Sequence, residues 1–313
     1  MNIVITGVSG YIGKRLLIRL DSLPHIESII GIDIRPPGIQ AKKLIFYARS
    51  ILTPLQDIFK DKTVDTLIHL AFIVKPSHRR RMVEDVDVNG TRNVLEAFLQ
   101  AKLKHVLYLS SHTVYGAFRD NPVPITEDYP VRPLPGFQYS EDKVRAEKII
   151  LDYCLNHTDI QATILRTCPV IGRYASDSIA AVMLEPPVML RLKGYDPQLQ
   201  FVHEDDLVDL LVRLIINPAS GIYNVANDGE LTYSNIARLA GKKMLVLPEA
   251  LVRPLLGFSW KLHLQCKSPA CGLEMIKYPP LVSTSALKRA TGYQFRHTSA
   301  DAIRDFVESR KSR

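Results

Sequence analysis

Three groups of residues in this 313-residue chain have types and spacings suited to chemistry. The first is Gly7-Val8-Ser9-Gly10-Tyr11-Ile12-Gly13, a G-x-x-G-x-x-G loop between an apolar run and an amphipathic segment. Glycines allow a tight turn and close backbone approach, while amides at a helix start offer donors and partial positive charge to a pyrophosphate. The second is Asp33, at the end of the next apolar run. A carboxylate there accepts hydrogen bonds from an adenosine ribose and repels a 2′-phosphate, which favours NAD over NADP, although Arg35 could rescue some NADP binding. The third is Tyr139 with Lys143, four apart and therefore on one helical face. A phenol titrates near 10 in water and exchanges protons near neutrality only beside a cation, which Lys143 can supply. Tyr139 could then trade a proton with a substrate hydroxyl or carbonyl during hydride transfer.

These groups need rigid carriers, and the first 110 residues supply them. Short β-branched runs at Asn2–Thr6, Ser28–Ile34, Lys43–Ala48, Thr66–Ala71 and His105–Ser110 alternate with helical periods at Lys14–Ser22 and Val83–Ala101. That alternation predicts βαβ units and a parallel sheet covered on both faces, an α/β fold. Residues 117–138 carry five prolines and read as a long loop of functional character. Helical pattern resumes over Tyr139–Tyr153, a buried strand follows at Ala162–Arg166, and Leu207–Ile216 is again helical.

Together these residues resemble the short-chain dehydrogenase/reductase superfamily, in the extended or atypical branch of NAD-dependent epimerases and dehydratases. Beyond the three groups, the likeness runs through His69-Leu70-Ala71, Asn89-Gly90-Thr91, Ser110-Ser111-His112-Thr113-Val114-Tyr115-Gly116, Arg166 to Gly172, Phe201 to Asp206 and Gly221 to Val225. It implies a Rossmann-type, doubly wound parallel sheet with a smaller C-terminal substrate-binding domain. Residues 1–170 and 201–228 would form the NAD-binding part, and 171–200 with 229–313 the smaller part. It implies a catalytic set of Ser111, Tyr139 and Lys143, in which Ser111 bonds the reacting oxygen and Lys143 lowers the tyrosine pKa. For the cofactor it implies Gly7, Gly10, Gly13, Asp33, backbone amides of Tyr11 and Ile12, Leu70 and Ala71 along the bound dinucleotide, and Tyr139 and Lys143. It allows a homodimer through the helices near Val83 and Tyr139.

Some positions depart from the family pattern. Dehydratases carry Asp-Glu after the residue matching Ser111; His112 and Thr113 stand here, which argues against dehydration. Leu199 replaces the arginine that commonly holds a substrate diphosphate, Ser50 the aspartate that often holds adenine, and Asp87 a structural asparagine. The expected activity is hydride transfer between nicotinamide and a secondary alcohol or carbonyl of a small molecule, with a sugar or sugar nucleotide among the candidates. A net carbonyl reductase resembling hydroxysteroid dehydrogenases, acting on an apolar substrate, and a non-catalytic dinucleotide sensor are the alternatives.

Composition sets the remaining bounds. With 46% hydrophobic and 23% charged residues the chain is neither disordered nor fibrous. Four scattered cysteines make no disulfide framework, suit a reduced cytoplasmic setting, and with no nearby histidine pair suggest no metal. The N-terminus shows no signal-peptide pattern. Met244–Leu264 is too interrupted to span a membrane and reads as amphipathic helix or loop on the body, with surface docking the lesser reading. A net charge of +8 favours anionic partners in general, yet no nucleic-acid module accompanies it, so the excess reads as solvated surface. The same holds for Arg79-Arg80-Arg81. His203-Glu204-Asp205-Asp206 looks like a metal cluster, but the family resemblance implies a turn that starts a helix there, with Asp205 or Asp206 as cap; His112 reads as either packed, solvated or facing substrate.

Overall fold

Strand residues of successive parity feed two different cores. Ile3 and Ile5 point with Ile29, Ile68, Leu107 and Leu165 to one side of the sheet, while Val4, Ile30, Leu67, Val106 and Ile164 point to the other. A strand buried on both faces reads as a continuous apolar run, the pattern of a parallel sheet under helices. The computed structural model describes residues 1–60, 62–99, 101, 103–175, 183–266 and 268–311. It contains β1 (Asn2–Thr6), β2 (Ser28–Asp33), β3 (Leu44–Ala48), β4 (Thr66–His69), β5 (His105–Ser111) and β6 (Gln161–Thr167). Shorter strands follow as β7 (Val170–Ile171), β8 (Val188–Leu192), β9 (Gln198–Leu199) and β10 (Val202–His203), then β11 (Gly221–Val225), β12 (Leu231–Thr232) and β13 (Lys243–Leu247). The main sheet has seven strands in the order β11-β6-β5-β4-β1-β2-β3, all parallel. This is the Rossmann-type doubly wound sheet expected from the sequence.

Helix α1 (Tyr11–Asp21) and the helix Glu204–Ile216 cover the first face through Leu16, Leu17, Leu20, Leu207, Leu211 and Leu214. The other face is covered by α4 (Gly90–Ala97) and α5 (Gln138–Asn156) through Val94, Leu95, Ala146 and Ile150. Each such fully buried Val, Leu or Ile side chain contributes about 1.5–3 kcal/mol. The order of the sheet reverses between β1 and β4, which opens a crevice at their C-terminal ends, the place where α/β sheets bind ligands. A smaller core gathers Ile171, Leu184, Met189 and Phe201 with Ile236, Ile303 and Phe306, and another joins Leu192, Val252 and Leu273. Val282 and Leu287, from the stretch 229–313, pack instead into the core under the sheet. Part of the stretch 171–200, residues 176–182, and residues 312–313 lie outside the described residues.

Three elements differ from expectation, the first being α1, which starts at Tyr11 and not at Lys14. β4 ends at His69, because Leu70 and Ala71 turn across the glycine loop instead of extending the ladder. After α2 (Gln56–Phe59), the helix expected over Val83–Ala101 starts earlier, as α3 (Arg80–Glu84), passes through a π-turn at Asp85–Asn89, and ends with α4 at Ala97. The helical period of the sequence carries no mark of that extra residue in the turn.

Candidate active site

β1 delivers the chain into Gly7, whose φ of +72° is the left-handed region that favours glycine. A side chain there would place its Cβ 2.6 Å from the Ala71 amide, and one at Gly13 would lie 2.8 Å from Val8 Cα. The loop therefore lies flat against Leu70-Ala71 and against the first turn of α1. Gly10 caps α1 with no side chain, so the first-turn amides at Tyr11, Ile12 and Gly13 have no acceptor within the helix. Asp33, at the end of β2, turns its carboxylate to the same loop: Oδ2 accepts from the Ser9 amide at 3.0 Å and Oδ1 from that of Arg35 at 3.4 Å. The structure thus brings Gly7, Gly10, Tyr11, Ile12, Gly13, Asp33, Leu70 and Ala71 together at the crevice. Bare glycines, open helix-start amides and a carboxylate at the next strand end fit the pyrophosphate and ribose of a dinucleotide.

β5 ends in Ser111, a buried residue that caps the short turn His112–Tyr115. Its Oγ accepts from the Thr113 amide at 3.2 Å and from the Thr113 hydroxyl at 3.0 Å. Tyr139 stands in the first turn of α5, set edge-on to Phe72 at 5.8 Å and to Phe137 at 6.2 Å between ring centroids. One turn on, Lys143 is buried, and its Nζ donates to the Leu109 carbonyl at 2.7 Å and to Tyr108 Oη at 3.2 Å. The Phe72 ring closes over that ammonium, its centroid 3.6 Å from Nζ.

The electrostatics differ from the sequence expectation that Lys143 lowers the Tyr139 pKa. Burial pushes the phenol up to about 12; a hydrogen bond with Ser111 acts against the rise and the charge of Asp87 adds to it. Lys143 Nζ lies 5.8 Å from the centre of the Tyr139 ring and bonds elsewhere, so desolvation dominates. Burial also pushes Lys143 down to about 7, against the attraction of Asp87 and Glu147.

Asp87 is the residue whose importance only the fold shows. The π-turn sinks its side chain completely, where Oδ1 accepts from the Ile73 amide at 2.7 Å and Oδ2 has no hydrogen-bond partner among the described residues. Burial lifts this carboxyl to about 7, while Lys143 pulls it down. π-Turns often mark functional sites, but the sequence signal was limited to an aspartate where the family has asparagine. Phe72 and Tyr108 also went unread; Phe72 directly follows Ala71 and Tyr108 stands two residues before Ser110, both singled out from the sequence, but each looks like ordinary core.

Behind the site, Glu147 holds Arg166 at 2.8 Å and accepts from Ser110 at 2.5 Å, and Arg166 reaches Tyr115 Oη at 2.9 Å. Nearly every polar atom of this buried network has a partner, which is what makes such a network rigid. His112 is packed inward, its imidazole pushed down to about 4 by burial. The helix start at residue 204 is capped by His203, whose Nδ1 accepts from the Asp205 amide at 3.2 Å, and not by either aspartate. Asp206 is instead fully buried, accepting from Asn227 Nδ2 at 2.5 Å and the His297 amide at 3.0 Å. Tyr11 turns its phenol to Glu204, which leaves only its backbone for a ligand in the crevice.

Residues 3–226 match the NAD dependent epimerase/dehydratase family. Over 98% of its length the chain is 25% identical to an uncharacterised protein of Mycobacterium bovis, of which it covers 84%. Over 57% of its length it is 30% identical to UDP-glucose 4-epimerase of Yersinia enterocolitica, covering 56% of that protein. Among solved structures it resembles UDP-glucuronic acid 4-epimerase of Bacillus cereus in complex with UDP-glucuronic acid and NAD. That likeness has a TM-score of 0.78 at 19% identity and spans 100% of this chain and 99% of the other.

Proposed function

The chain belongs to the NAD-dependent epimerase/dehydratase family, and from that premise we propose that it oxidises a secondary alcohol carbon of a small molecule. It either returns the hydride, as an epimerase, or releases the carbonyl, as a dehydrogenase. The observation that carries this reading is the convergence of Ser111, Tyr139 and Lys143 at the end of β5, beside the glycine loop. NAD, when bound, supplies the reversible hydride acceptor. The first-turn amides of α1 hold its pyrophosphate, Asp33 its ribose, and Leu70 and Ala71 flank it. Ser111, steadied by the Thr113 hydroxyl, holds the substrate oxygen. Tyr139 takes the hydroxyl proton, aided by its hydrogen bond with Ser111, which acts against the rise that burial imposes; Lys143, its Nζ 5.8 Å from the ring centre, adds positive charge to the site only while protonated. Dehydration is not part of the reading, because Thr113 is spent on Ser111 and buried His112 stays neutral.

The relatives named for UDP-glucose and UDP-glucuronic acid support a nucleotide sugar as substrate. Leu199 favours a second reading, an uncharged alcohol, because this position packs into the smaller core where the nucleotide-sugar enzymes commonly carry a diphosphate-binding arginine. The proposal includes a homodimer, a cytoplasmic location, and a division in which 1–170 and 201–228 hold the cofactor while 171–200 and 229–313 close over substrate. Purified chain with NAD, offered UDP-glucose, UDP-glucuronic acid and uncharged secondary alcohols, tests it by NMR of the sugar and absorbance of reduced nicotinamide. Tyr139→Phe is expected to lose about 10²–10⁴-fold in turnover while still binding dinucleotide. Full turnover by this variant removes Tyr139 from the role; bound dinucleotide without turnover on either substrate class points to a sensor.

A further inference from the structure

The helix Glu249–Lys261 is built inside out. At 100° per residue, Leu251, Leu255, Phe258 and Leu262 fall within an arc of about 60°, and they are 64%, 67%, 63% and 52% exposed. Leu264, just past the helix end, is 71% exposed. Away from this arc the charged side chains of the first turns pair with a neighbouring helix: Arg253 bridges Glu249 and Glu274, and Lys277, itself largely buried, reaches Glu249 at 3.1 Å and Glu274 at 3.3 Å. Val252 and Leu256 pack beside Leu192 and Leu273. The helix cannot roll to hide its leucines, because Trp260 stacks on His78 at 4.0 Å and His263 on the same ring at 4.1 Å. A contiguous exposed apolar stripe of this kind marks a docking surface.

The charge around it identifies the occupant. In sequence, residues 241–279 hold Lys242, Lys243, Arg253, Lys261, Lys267 and Lys277 against Glu249 and Glu274, a net +4 out of the +8 of the whole chain, with Lys267 outside the described residues. Both carboxylates are held by Arg253 and Lys277, whereas Lys243 and Lys261 are exposed. Arg79, next to the pinned His78, is exposed as well. A second copy of this chain would bring like charge to the stripe; a surface of phosphates brings the complement.

We propose that this face docks on an anionic phospholipid membrane, with the four leucines and Phe258 entering the acyl boundary and the lysines at the headgroups. The attachment is peripheral, since among the described residues no helix is long and apolar enough to cross a membrane. It is independent of the catalytic reading and is measured without cofactor or substrate. The full chain is floated with vesicles of phosphatidylglycerol and phosphatidylcholine, and with phosphatidylcholine alone. Binding to the anionic vesicles, weakened by salt, is expected. The exposed double variant Leu255→Ser/Phe258→Ser should bind at least about tenfold more weakly, and Lys261→Glu should also weaken binding. Melting curves establish that the variants fold, and Phe258→Ala replaces the double variant if it does not. Wild-type protein that ignores anionic vesicles, or variants that bind equally well, would overturn the proposal. So would a wild-type dimer that the double variant dissociates, which would assign the stripe to a second copy.

Discussion

Lys143 and Asp87 face each other as opposite charges that burial has partly cancelled. Removing water disfavours an ammonium and a carboxylate alike, so one pKa falls and the other rises until both stand near 7. Lys143 is charged below its folded pKa and loses its charge as pH rises through about 7. Asp87 raises that value, so Asp87→Asn, which keeps an oxygen for the Ile73 amide, should move the alkaline limb of the turnover–pH profile to lower pH. A shift of about one unit corresponds to 1.4 kcal/mol of lost attraction. The pH dependence of kcat measures it, and an unmoved limb would show that Lys143 does not control turnover. Ser111 illustrates the other way a residue acquires a role here: its hydroxyl is oriented by Thr113, a neighbour two residues on that the turn folds back upon it.

At the scale of elements, the glycine loop shows why spacing matters more than composition. Gly13 has no room for a side chain because the loop folds back over the first turn of α1, placing Val8 where a Cβ would stand. Gly13→Ala must push the loop and helix apart. The expected cost is about 1–3 kcal/mol of stability, typical of overpacking, together with at least a tenfold loss of dinucleotide affinity. Urea unfolding and a dinucleotide titration read the two effects separately, and a variant with wild-type affinity would remove the loop from the binding site. The π-turn at Asp85–Asn89 acts in the opposite sense, by adding rather than refusing space. One extra residue in the turn buries Asp87 against the Ile73 amide and within electrostatic reach of Lys143.

On the scale of the whole molecule, four histidines among the described residues are buried with their pKa pushed down, His203 in β10 and three within or beside the main sheet. His69 lies between Thr6 and Thr91, His105 beside Thr163, and His112 in the turn after β5; burial pushes them to about 3, 4 and 4. An unfolded histidine takes its proton near 6.5, so as pH falls below that value the unfolded chain gains protons that the native one refuses. Each histidine then costs about 1.4 kcal/mol per pH unit. Asp87 offsets one of the three, because its raised carboxyl is protonated in the native state below about 7. Burial of Asp142 and Glu204 offsets part of the rest. Stability should therefore fall by roughly 1–3 kcal/mol per pH unit between pH 6 and 5, and His105→Gln should flatten that slope in urea titrations. A flat dependence in the wild type would show that these imidazoles are not held neutral.

Much of this was legible in the residues alone. The alternation of β-branched runs and helical periods determined the parallel sheet, because a strand covered on both faces must be apolar throughout. The glycine spacing, Asp33 and the Tyr139–Lys143 interval determined the dinucleotide crevice and the face beside it, because those features act through neighbours close in sequence. What the tertiary structure decided were matters of burial and long-range approach. Desolvation beneath Phe72 sets the protonation of Tyr139 and Lys143, and a π-turn brings Asp87 to them from a distant helix. The ion pairs of Arg253 and Lys277 with Glu249 and Glu274 lie on one side of the helix Glu249–Lys261 and leave Leu251, Leu255 and Phe258 exposed on the other, with Lys261 exposed in the same helix. Sequence spacing reports local periodicity; how much water remains around a charge depends on every element packed against it.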